Sequence, residues 1–246
     1  MRVISLAGGP LSVICLSLQG LHCAGGRQSR IGDFYLQTFF ETQEEQKWMC
    51  GILVSVAPRD TSVNHDDLVE WIAARGPDSL QTHRIQLPAS DSQPSLELTF
   101  TSSVLHLRGN EVTVQPLISE AGDILCWNGE VWDGLEIGED ENDGVKLLAA
   151  LTAGNPVWKV MEGIEGPWAM VYYSSKDKKL WFGRDCLGRR SLLQKRMVNS
   201  GALVLSSVGM DMTDWTEVGV EGLWCLDLNN WPVMGQIEVC IGSSAY

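Results

Sequence analysis

The alternation of hydrophobic and polar positions becomes regular from residue 50 onward and predicts a mixed domain of strands and helices. Ile52–Val56 is a short apolar run, typical of a buried strand. Asp66–Ala74 carries its apolar residues at helical spacing, and Arg75–Asp78 follows with a glycine suited to a helix C-cap and a proline that cannot continue a helix. The chain is therefore expected to begin its fold with a strand and a helix.

The following residues are predicted to form mainly strands. The predicted strands are Thr82–Leu87, Leu96–Leu107, Ile124–Trp127, Trp168–Tyr173, Lys179–Phe182, Ser191–Gln194, Ala202–Ser206 and Glu217–Leu228. Two helices interrupt them: Val145–Leu151, with Asp143 as its expected N-cap, and Val157–Met161. Asn128-Gly129 is predicted as a tight turn, after which Glu130–Trp132 continues the strand. This order favours an α+β fold in which two sheets lie between outer helices, a four-layer αββα sandwich.

The N-terminal segment has a different character from this body. Residues 1–49 are interpreted as an extension, residues 50–228 as the domain and residues 229–246 as an unassigned tail. Residues 1–24 resemble a secretory signal, but Gly8-Gly9-Pro10 interrupts the apolar stretch. Three explanations stay open: a cleaved signal, a disordered extension, and translation that starts at Met49.

Composition and charge exclude several classes of function. The chain has 246 residues, of which 44% are hydrophobic and 20% charged, which are ordinary globular values. Its net charge of −13 lies entirely in residues 49–246 and argues against nucleic acid or an anionic membrane surface as a partner. No uninterrupted apolar stretch reaches the ~20 residues that a membrane span needs.

Cysteine and histidine usage bears on metals and on the cellular compartment. The seven cysteines are scattered without a C-x-x-C pair, and the four histidines lack metal-ligand spacing. We therefore expect no disulfide framework and no metal site. A reducing compartment, and hence a cytoplasmic location, fits best.

Cys50 is the strongest candidate for chemistry, although a buried cysteine at the start of a strand is often an inert core residue. Met49 directly precedes it. If the mature chain begins at Cys50, a free α-amine with a pKa of about 7.7–8.0 stands beside the thiol. One residue would then supply both a nucleophile and its base.

Several short motifs occur in an order that resembles a known family. They are Met49–Ile52, Arg75–Asp78, His106–Arg108, Trp127–Glu130, Phe182–Asp185 and Gly188–Arg190. Over about residues 49–228 this order resembles the class II (N-terminal nucleophile) glutamine amidotransferases, in particular the glutaminase half of asparagine synthetase. Leu105–Gly109, Glu141–Asp143, Glu165–Trp168 and Gly183–Leu193 resemble most the asparagine synthetase domain-containing group.

The resemblance implies a fold and a set of catalytic roles. The fold is the N-terminal-nucleophile hydrolase sandwich, and the reaction is hydrolysis of L-glutamine through a thioester on Cys50. Asn128 and Gly129 would supply the donors for the oxyanion of the tetrahedral intermediate. The structural alternative for this Asn-Gly pair is a hairpin turn.

The resemblance also implies residues that bind the amino-acid part of the substrate. Arg108 would pair the α-carboxylate of glutamine and Asp143 its α-ammonium, with help from Glu130. The structural alternatives are a surface ion pair for Arg108 and a helix N-cap for Asp143. Arg184 and Asp185 are expected to form a buried structural pair beside the nucleophile.

The sequence departs from the family at two places. Gly109-Asn110-Glu111 follows Arg108 where asparagine synthetases have an apolar run and an aspartate. Forty-nine residues precede Cys50, so its nitrogen lies in a peptide bond unless translation starts at Met49 or a propeptide is removed. The remaining alternatives are an inactive domain that binds glutamine or a protein partner, and hydrolysis of a different amide.

No Ser-Gly-Gly phosphate loop of a synthetase domain occurs in this sequence. ATP and Mg²⁺ are therefore expected only in a synthetase domain outside it, and no cofactor is expected in this chain. The expected partners are L-glutamine and a synthetase domain or subunit that accepts ammonia.

Overall fold

The structure is a computed structural model that describes residues 49–61, 63, 66–90, 93–107, 111–197, 200–210, 214–231 and the backbone of 237–240. The strands are β1 (Gly51–Pro58), β2 (Ser79–Leu87), β3 (Leu96–Val104), β4 (Leu117–Ile118), β5 (Ile124–Gly129), β6 (Trp168–Ser174), β7 (Lys179–Arg184), β8 (Leu193–Met197), β9 (Ala202–Ser206), β10 (Thr216–Glu217), β11 (Leu223–Asp227) and β12 (Ile237–Cys240). The helices are α1 (Asp66–Arg75), α2 (Asp143–Thr152) and α3 (Val157–Glu162), and a 3₁₀ turn spans Leu228–Asn230.

These strands form two antiparallel sheets. The first has the order β10-β8-β9-β1-β3-β2 and the second the order β12-β11-β7-β6-β5-β4. In the first sheet, Gly51 of β1 pairs with Ser103 of β3. In the second sheet, Asn128 of β5 pairs with Ala169 of β6. The ends of β1 and β5 are thereby anchored within their sheets.

Strand periodicity explains how the two sheets stack. Alternate residues of β1 (Ile52, Val54, Val56) and of β5 (Ile124, Cys126) enter one buried cluster between the sheets. The intervening residue Leu53 of β1 instead packs with Leu68 and Ile72 of α1. Leu125 and Trp127 of β5 pack with Leu147 and Leu151 of α2. The layers are therefore helix, sheet, sheet and helix, and the αββα sandwich expected from the sequence is confirmed.

Two local predictions were wrong at the site. Asn128-Gly129 forms no turn, because both residues pair with β6 as the last residues of β5. Asp143 is the first residue of α2, and its N-cap is Asn142, whose side chain accepts the Val145 N–H at 3.2 Å. Asn and Asp are about equally favoured as N-caps. The sequence alone therefore did not decide which of the two neighbouring residues, Asn142 or Asp143, caps the helix.

Other differences from the prediction concern the ends of elements. The strand expected over Leu96–Leu107 ends at Val104, which frees the next residues for the site. The edge strands β4 and β12 were not predicted, and β12 places part of the tail in the second sheet. Gly76 follows α1 as expected. The glycine is required there for steric reasons, because a Cβ would lie 2.5 Å from the Val104 backbone.

Within the described residues, no helix combines the length and the apolar character that a membrane span requires.

Candidate active site

Cys50 and Asn128 line the same cavity because they lie near the ends of two strands, β1 and β5, that face each other across the central core. Cys50 directly precedes β1, whose alternate residues from Ile52 onward face the other sheet. Asn128 has the same parity as Cys126, which also faces the space between the sheets. Alternation along a strand therefore turns both side chains inward at the same end of the sandwich.

Both residues line a cavity of about 420 Å³. Its wall contains Met49, Cys50, Val104, Leu105, His106, Leu107, Thr113, Gln115, Trp127, Asn128, Gly129, Glu130, Val131, Trp132, Asn142, Asp143 and Arg190. Five of the six residues proposed from the sequence are in this wall. The sixth, Arg108, lies outside the described residues, but its neighbours His106 and Leu107 are part of the wall.

The thiol of Cys50 lies in a largely buried environment. Its Sγ donates to the Leu105 carbonyl oxygen over 3.8 Å. Burial raises the pKa of the Cys50 thiol above its ordinary value, and the hydrogen bond with the Leu105 backbone and the positive charges of Arg75 and Arg190 only partly oppose this. In the chain as it stands, the nitrogen of Cys50 is bonded to Met49. The thiol is therefore neutral near pH 7 and lacks the adjacent amine base.

Arg75 holds the backbone on both sides of the Met49–Cys50 bond. Its carbonyl oxygen accepts the Met49 N–H at 3.2 Å, and its Nε donates to the Cys50 carbonyl oxygen at 3.4 Å. The residue ends α1 and is buried. Its contact with the nucleophile was missed, because nothing in the local pattern shows that the end of α1 reaches Cys50.

Two hydrogen-bond donors at the end of β5 are available to a ligand in the cavity. The Nδ2 group of Asn128 is buried and has no acceptor among the described residues. Glu130 N–H donates to Pro167 of the β6 side at 3.0 Å, and backbone N–H groups alternate direction along a strand. The N–H of Gly129 therefore points away from β6, on the same edge as the Trp127 N–H, which donates to Gln115.

Gly129 is required at this position for lack of space. A Cβ there would lie 2.6 Å from the Pro167 carbonyl oxygen and 2.7 Å from the Trp168 Cβ. No side chain can adopt such contacts without a shift of β6. The last residue of β5 is therefore limited to glycine.

Acidic and basic side chains surround the remainder of the cavity. Asp143 is buried, and its Oδ2 accepts the Val131 N–H at 2.9 Å. Glu130 is half-exposed and pairs with Arg190 at 3.2 Å. Arg190 also donates to the Met49 sulfur at 3.3 Å. Asp143 thus adds a buried carboxylate to the cavity, and Glu130 adds a second carboxylate that pairs with Arg190.

Arg184 and Asp185 do not form the pair expected from the sequence. Arg184 pairs with Glu217 at 3.1 Å, and Asp185 pairs with Arg189 at 2.9 Å. Both line a second cavity of about 420 Å³, whose wall does not contain Cys50. Each is buried, but consecutive residues of an extended chain point to opposite sides, so they find different partners.

Asp185 organises the loop that follows β7. Its carboxylate accepts the backbone N–H groups of Trp168, Leu187 and Arg189. Burial raises the pKa of this carboxyl, but these donors and the Arg189 guanidinium outweigh burial and hold the pKa below its usual range. Arg189 also lies 5.1 Å from the ring of Trp132, which contributes to the wall of both cavities.

Gln115, Thr113 and Arg190 were not identified as site residues from the sequence. Arg190 belongs to the Gly188–Arg190 motif, so a signal for it was present. Gln115 and Thr113 lie in an irregular segment before β4, and no local pattern relates them to β5. In the described residues, no group of three or more His, Cys, Asp or Glu side chains is placed to hold a metal ion.

Fold and site together define an αββα sandwich in which a cysteine directly precedes the central strand β1 and lines a cavity together with Asn128. No protein-family model matches the chain. Among curated proteins, it is 37% identical over 193 residues to "Asparagine synthetase domain-containing protein 1" of Gallus gallus, across 74% of this chain and 30% of the relative. It is 35% identical over 202 residues to the Homo sapiens protein of the same name, across 77% of this chain and 30% of the relative.

The resemblance expected from the motifs is thus confirmed, and the chain is homologous to part of the asparagine synthetase domain-containing proteins. It spans about 30% of the length of these relatives. Among solved structures, it aligns with a glutamine phosphoribosylpyrophosphate amidotransferase from B. subtilis with a TM-score of 0.46 and 12% identity, over 72% of this chain and 47% of that chain.

Proposed function

We propose that this chain carries a glutamine amidotransferase domain that hydrolyses L-glutamine to glutamate and ammonia through a thioester on Cys50. One observation carries the proposal: the thiol of Cys50 shares a cavity with Asn128, whose buried amide nitrogen has no acceptor among the described residues. Burying a polar group without a partner costs free energy, so such a donor is typical of a site that receives a ligand.

The reaction needs Cys50 as the first residue of the chain. Its α-amine then takes the thiol proton, and the thiolate attacks the carboxamide carbon of glutamine. Asn128 Nδ2 and Gly129 N–H receive the oxyanion that forms. The α-ammonium returns the proton to the leaving nitrogen, the C–N bond breaks and ammonia departs. Water then attacks the thioester, gives its proton to the amine and releases glutamate and the thiolate.

The charged residues of the cavity match the amino-acid part of glutamine. Asp143, buried at the start of α2, pairs the α-ammonium, and Glu130 at the edge assists. Arg108 pairs the α-carboxylate, as the resemblance implies. Arg75 holds the backbone of Cys50, so that the thiol keeps its position once the preceding residues are absent.

The name of the relatives suggests a role in asparagine biosynthesis. In this role, ammonia passes to a synthetase domain or subunit that uses ATP and Mg²⁺, whereas this chain supplies glutaminase chemistry and holds no cofactor. A cytoplasmic location would keep Cys50 reduced.

The test uses the full chain with a specific protease site placed directly before Cys50. The protein is folded and purified uncleaved, and part of it is then cleaved, so that both forms share one fold. Mass spectrometry verifies the new N-terminus. We expect the cleaved form to release glutamate and ammonia from L-glutamine, but not ammonia from L-asparagine. A verified N-terminal Cys50 without glutamine hydrolysis would contradict the proposal.

A second candidate is an inactive domain that binds glutamine or a protein partner. It is favoured by the bond between Met49 and Cys50 and by the presence of Met49 in the cavity wall. Sequencing the N-terminus of the protein from its own cells decides between the two. A chain that retains the bond, and binds glutamine in calorimetry without hydrolysing it, would be a binding domain.

A further inference from the structure

On the side of β5 that faces the cavity, the neighbouring strand β4 is short. Beyond the end of β4, a side chain instead of a strand forms the hydrogen bond to β5. β4 pairs only Leu117 with Leu125 and Ile118 with Ile124. Continuing this antiparallel register places residue 115 opposite Trp127. There the Trp127 N–H donates to the side-chain Oε1 of Gln115 at 2.7 Å. The carboxamide thus takes the place of a backbone carbonyl of a longer β4.

Gln115 is built into this position. Its side chain is buried and forms part of the cavity wall. Pro116 separates it from β4 and has no N–H to add to the ladder. The hydrogen bond from Trp127 also fixes the orientation of the amide, since only its oxygen can accept.

The position of this bond matters because the oxyanion donors come next along β5. Asn128 directly follows Trp127, and the Gly129 N–H lies on the same edge of the strand as the Trp127 N–H. On the other edge, β6 holds Asn128 and Gly129 by pairing with Ala169 and Trp168. On the cavity edge, side chains hold the backbone on both sides of Gly129: Gln115 accepts the Trp127 N–H, and Asp143 accepts the Val131 N–H.

We propose that Gln115 is a positioning residue for the oxyanion donors: its carboxamide oxygen replaces the missing end of β4 and sets the place of the Gly129 N–H and of Asn128. The inference rests on the proposed function, in which these two groups receive the oxyanion. A shift of a few tenths of an ångström in a donor weakens its bond to the transition state. The substrate in its ground state depends less on these donors.

The test compares Gln115→Met with a matched control in the full chain cleaved before Cys50. Methionine keeps length and volume but has no carboxamide oxygen. The control is Gln93→Met, because Gln93 Oε1 also accepts the backbone N–H of a tryptophan, Trp231, at 3.2 Å and does not line the cavity. Any general cost of losing such a bond appears in both variants.

We expect Gln115→Met to lower kcat for glutamine about 10–100-fold, somewhat less than the loss of a whole donor, with KM within about threefold. Alkylation of Cys50 by iodoacetamide should stay unchanged, because that displacement forms no oxyanion. Gln93→Met should keep the unmodified kcat. The proposal is overturned if kcat of Gln115→Met stays within twofold, or if alkylation falls as much as hydrolysis does.

A second measurement separates this inference from the proposed function. Hydrogen exchange of the peptide that covers β5 should become faster in Gln115→Met and stay unchanged in Gln93→Met. If the unmodified cleaved chain does not hydrolyse glutamine, the proposed function fails, while faster exchange at β5 still supports positioning by Gln115. Unchanged exchange at β5 would overturn the positioning role in either case.

Discussion

Cys50 directly precedes β1 of one sheet, Asn128 lies in β5 of the other sheet, and their side chains line one cavity at the same end of the sandwich. The sheets are joined by packing of β1 against β5, so the spacing of nucleophile and donor depends on the central core. We expect substitutions of charged residues in the cavity wall, such as Asp143, to affect substrate binding. We expect substitutions at the end of β5, such as Asn128, to affect the chemical step.

Replacing Asn128 should move activity and stability in different directions. Its Nδ2 is buried without an acceptor among the described residues. Asn128→Leu should lower kcat by about 10²–10³ through loss of an oxyanion donor. The free energy of unfolding should stay within ~1 kcal/mol of the unmodified value or rise, because an unpaired polar group is removed. Urea unfolding and ammonia release check both; equal losses in both would contradict the oxyanion role.

Replacing Gly129 should disrupt the end of β5. A Cβ would lie 2.6 Å from the Pro167 carbonyl oxygen, so Gly129→Ala should cost about 1–3 kcal/mol of unfolding free energy. The matched control is Gly163→Ala, where φ is −82° and the nearest atom lies 3.6 Å away. Thermal unfolding of the two variants should differ by several degrees. Equal unfolding temperatures would show that β6 yields easily at this point.

Asp143 should control substrate affinity through its charge. Asp143→Asn keeps an oxygen that can accept the Val131 N–H but removes the carboxylate charge. We expect KM for glutamine to rise about 10–100-fold, as for loss of a hydrogen bond to a charged group, with little change in thermal stability. Asp143→Ala should lose stability as well. An unchanged KM in Asp143→Asn would remove Asp143 from the binding site.

Asp185 should make the free energy of unfolding of the domain decrease as the pH is lowered. Its pKa is lowered in the folded state, so its contribution is complete above the unfolded pKa of about 3.9 and is lost as pH falls through the folded pKa. Asp185→Asn should cost about 1–3 kcal/mol at pH 7. The difference from the unmodified chain should shrink below about pH 4. A difference that is constant with pH in urea unfolding would contradict this.

The reactivity of Cys50 should depend on whether its nitrogen is free. In the uncleaved chain, burial raises the pKa of the thiol, so alkylation by iodoacetamide should rise with pH to a midpoint above that of an ordinary cysteine. Cleavage before Cys50 should increase alkylation at pH 7, because the α-amine can accept the thiol proton. Exposed Cys186 in the same chain is the internal reference. Equal profiles before and after cleavage would mean that the amine does not act as a base.

Much of the fold could be predicted from the sequence because its signals are local. The apolar run of β1, the helical spacing of α1 and the hairpin of β6 and β7 all follow from periodicity. Short edge strands carry no such signal, and β4, with two residues, was missed. The Asn-Gly pair was misjudged because its preference for turns is weak against pairing with β6 on one side.

The candidate site, like the fold, has some features that the sequence predicts and others that only the tertiary structure shows. The residue types of the site and the family could be inferred from the sequence alone, since Cys50, Asn128, Gly129, Glu130 and Asp143 lie in short motifs whose order is visible along the chain. Only the tertiary structure showed that these five residues line one cavity, that Arg75 holds Cys50, that Asp185 pairs with Arg189, and that Gln115 completes the edge of β5. Apart from the local Asp185–Arg189 pair, these contacts join residues that are far apart along the chain and are brought together by the stacking of the two sheets, by the end of α1 or by the end of a neighbouring strand. Such contacts depend on the packing of the whole core, which no local pattern of the chain encodes.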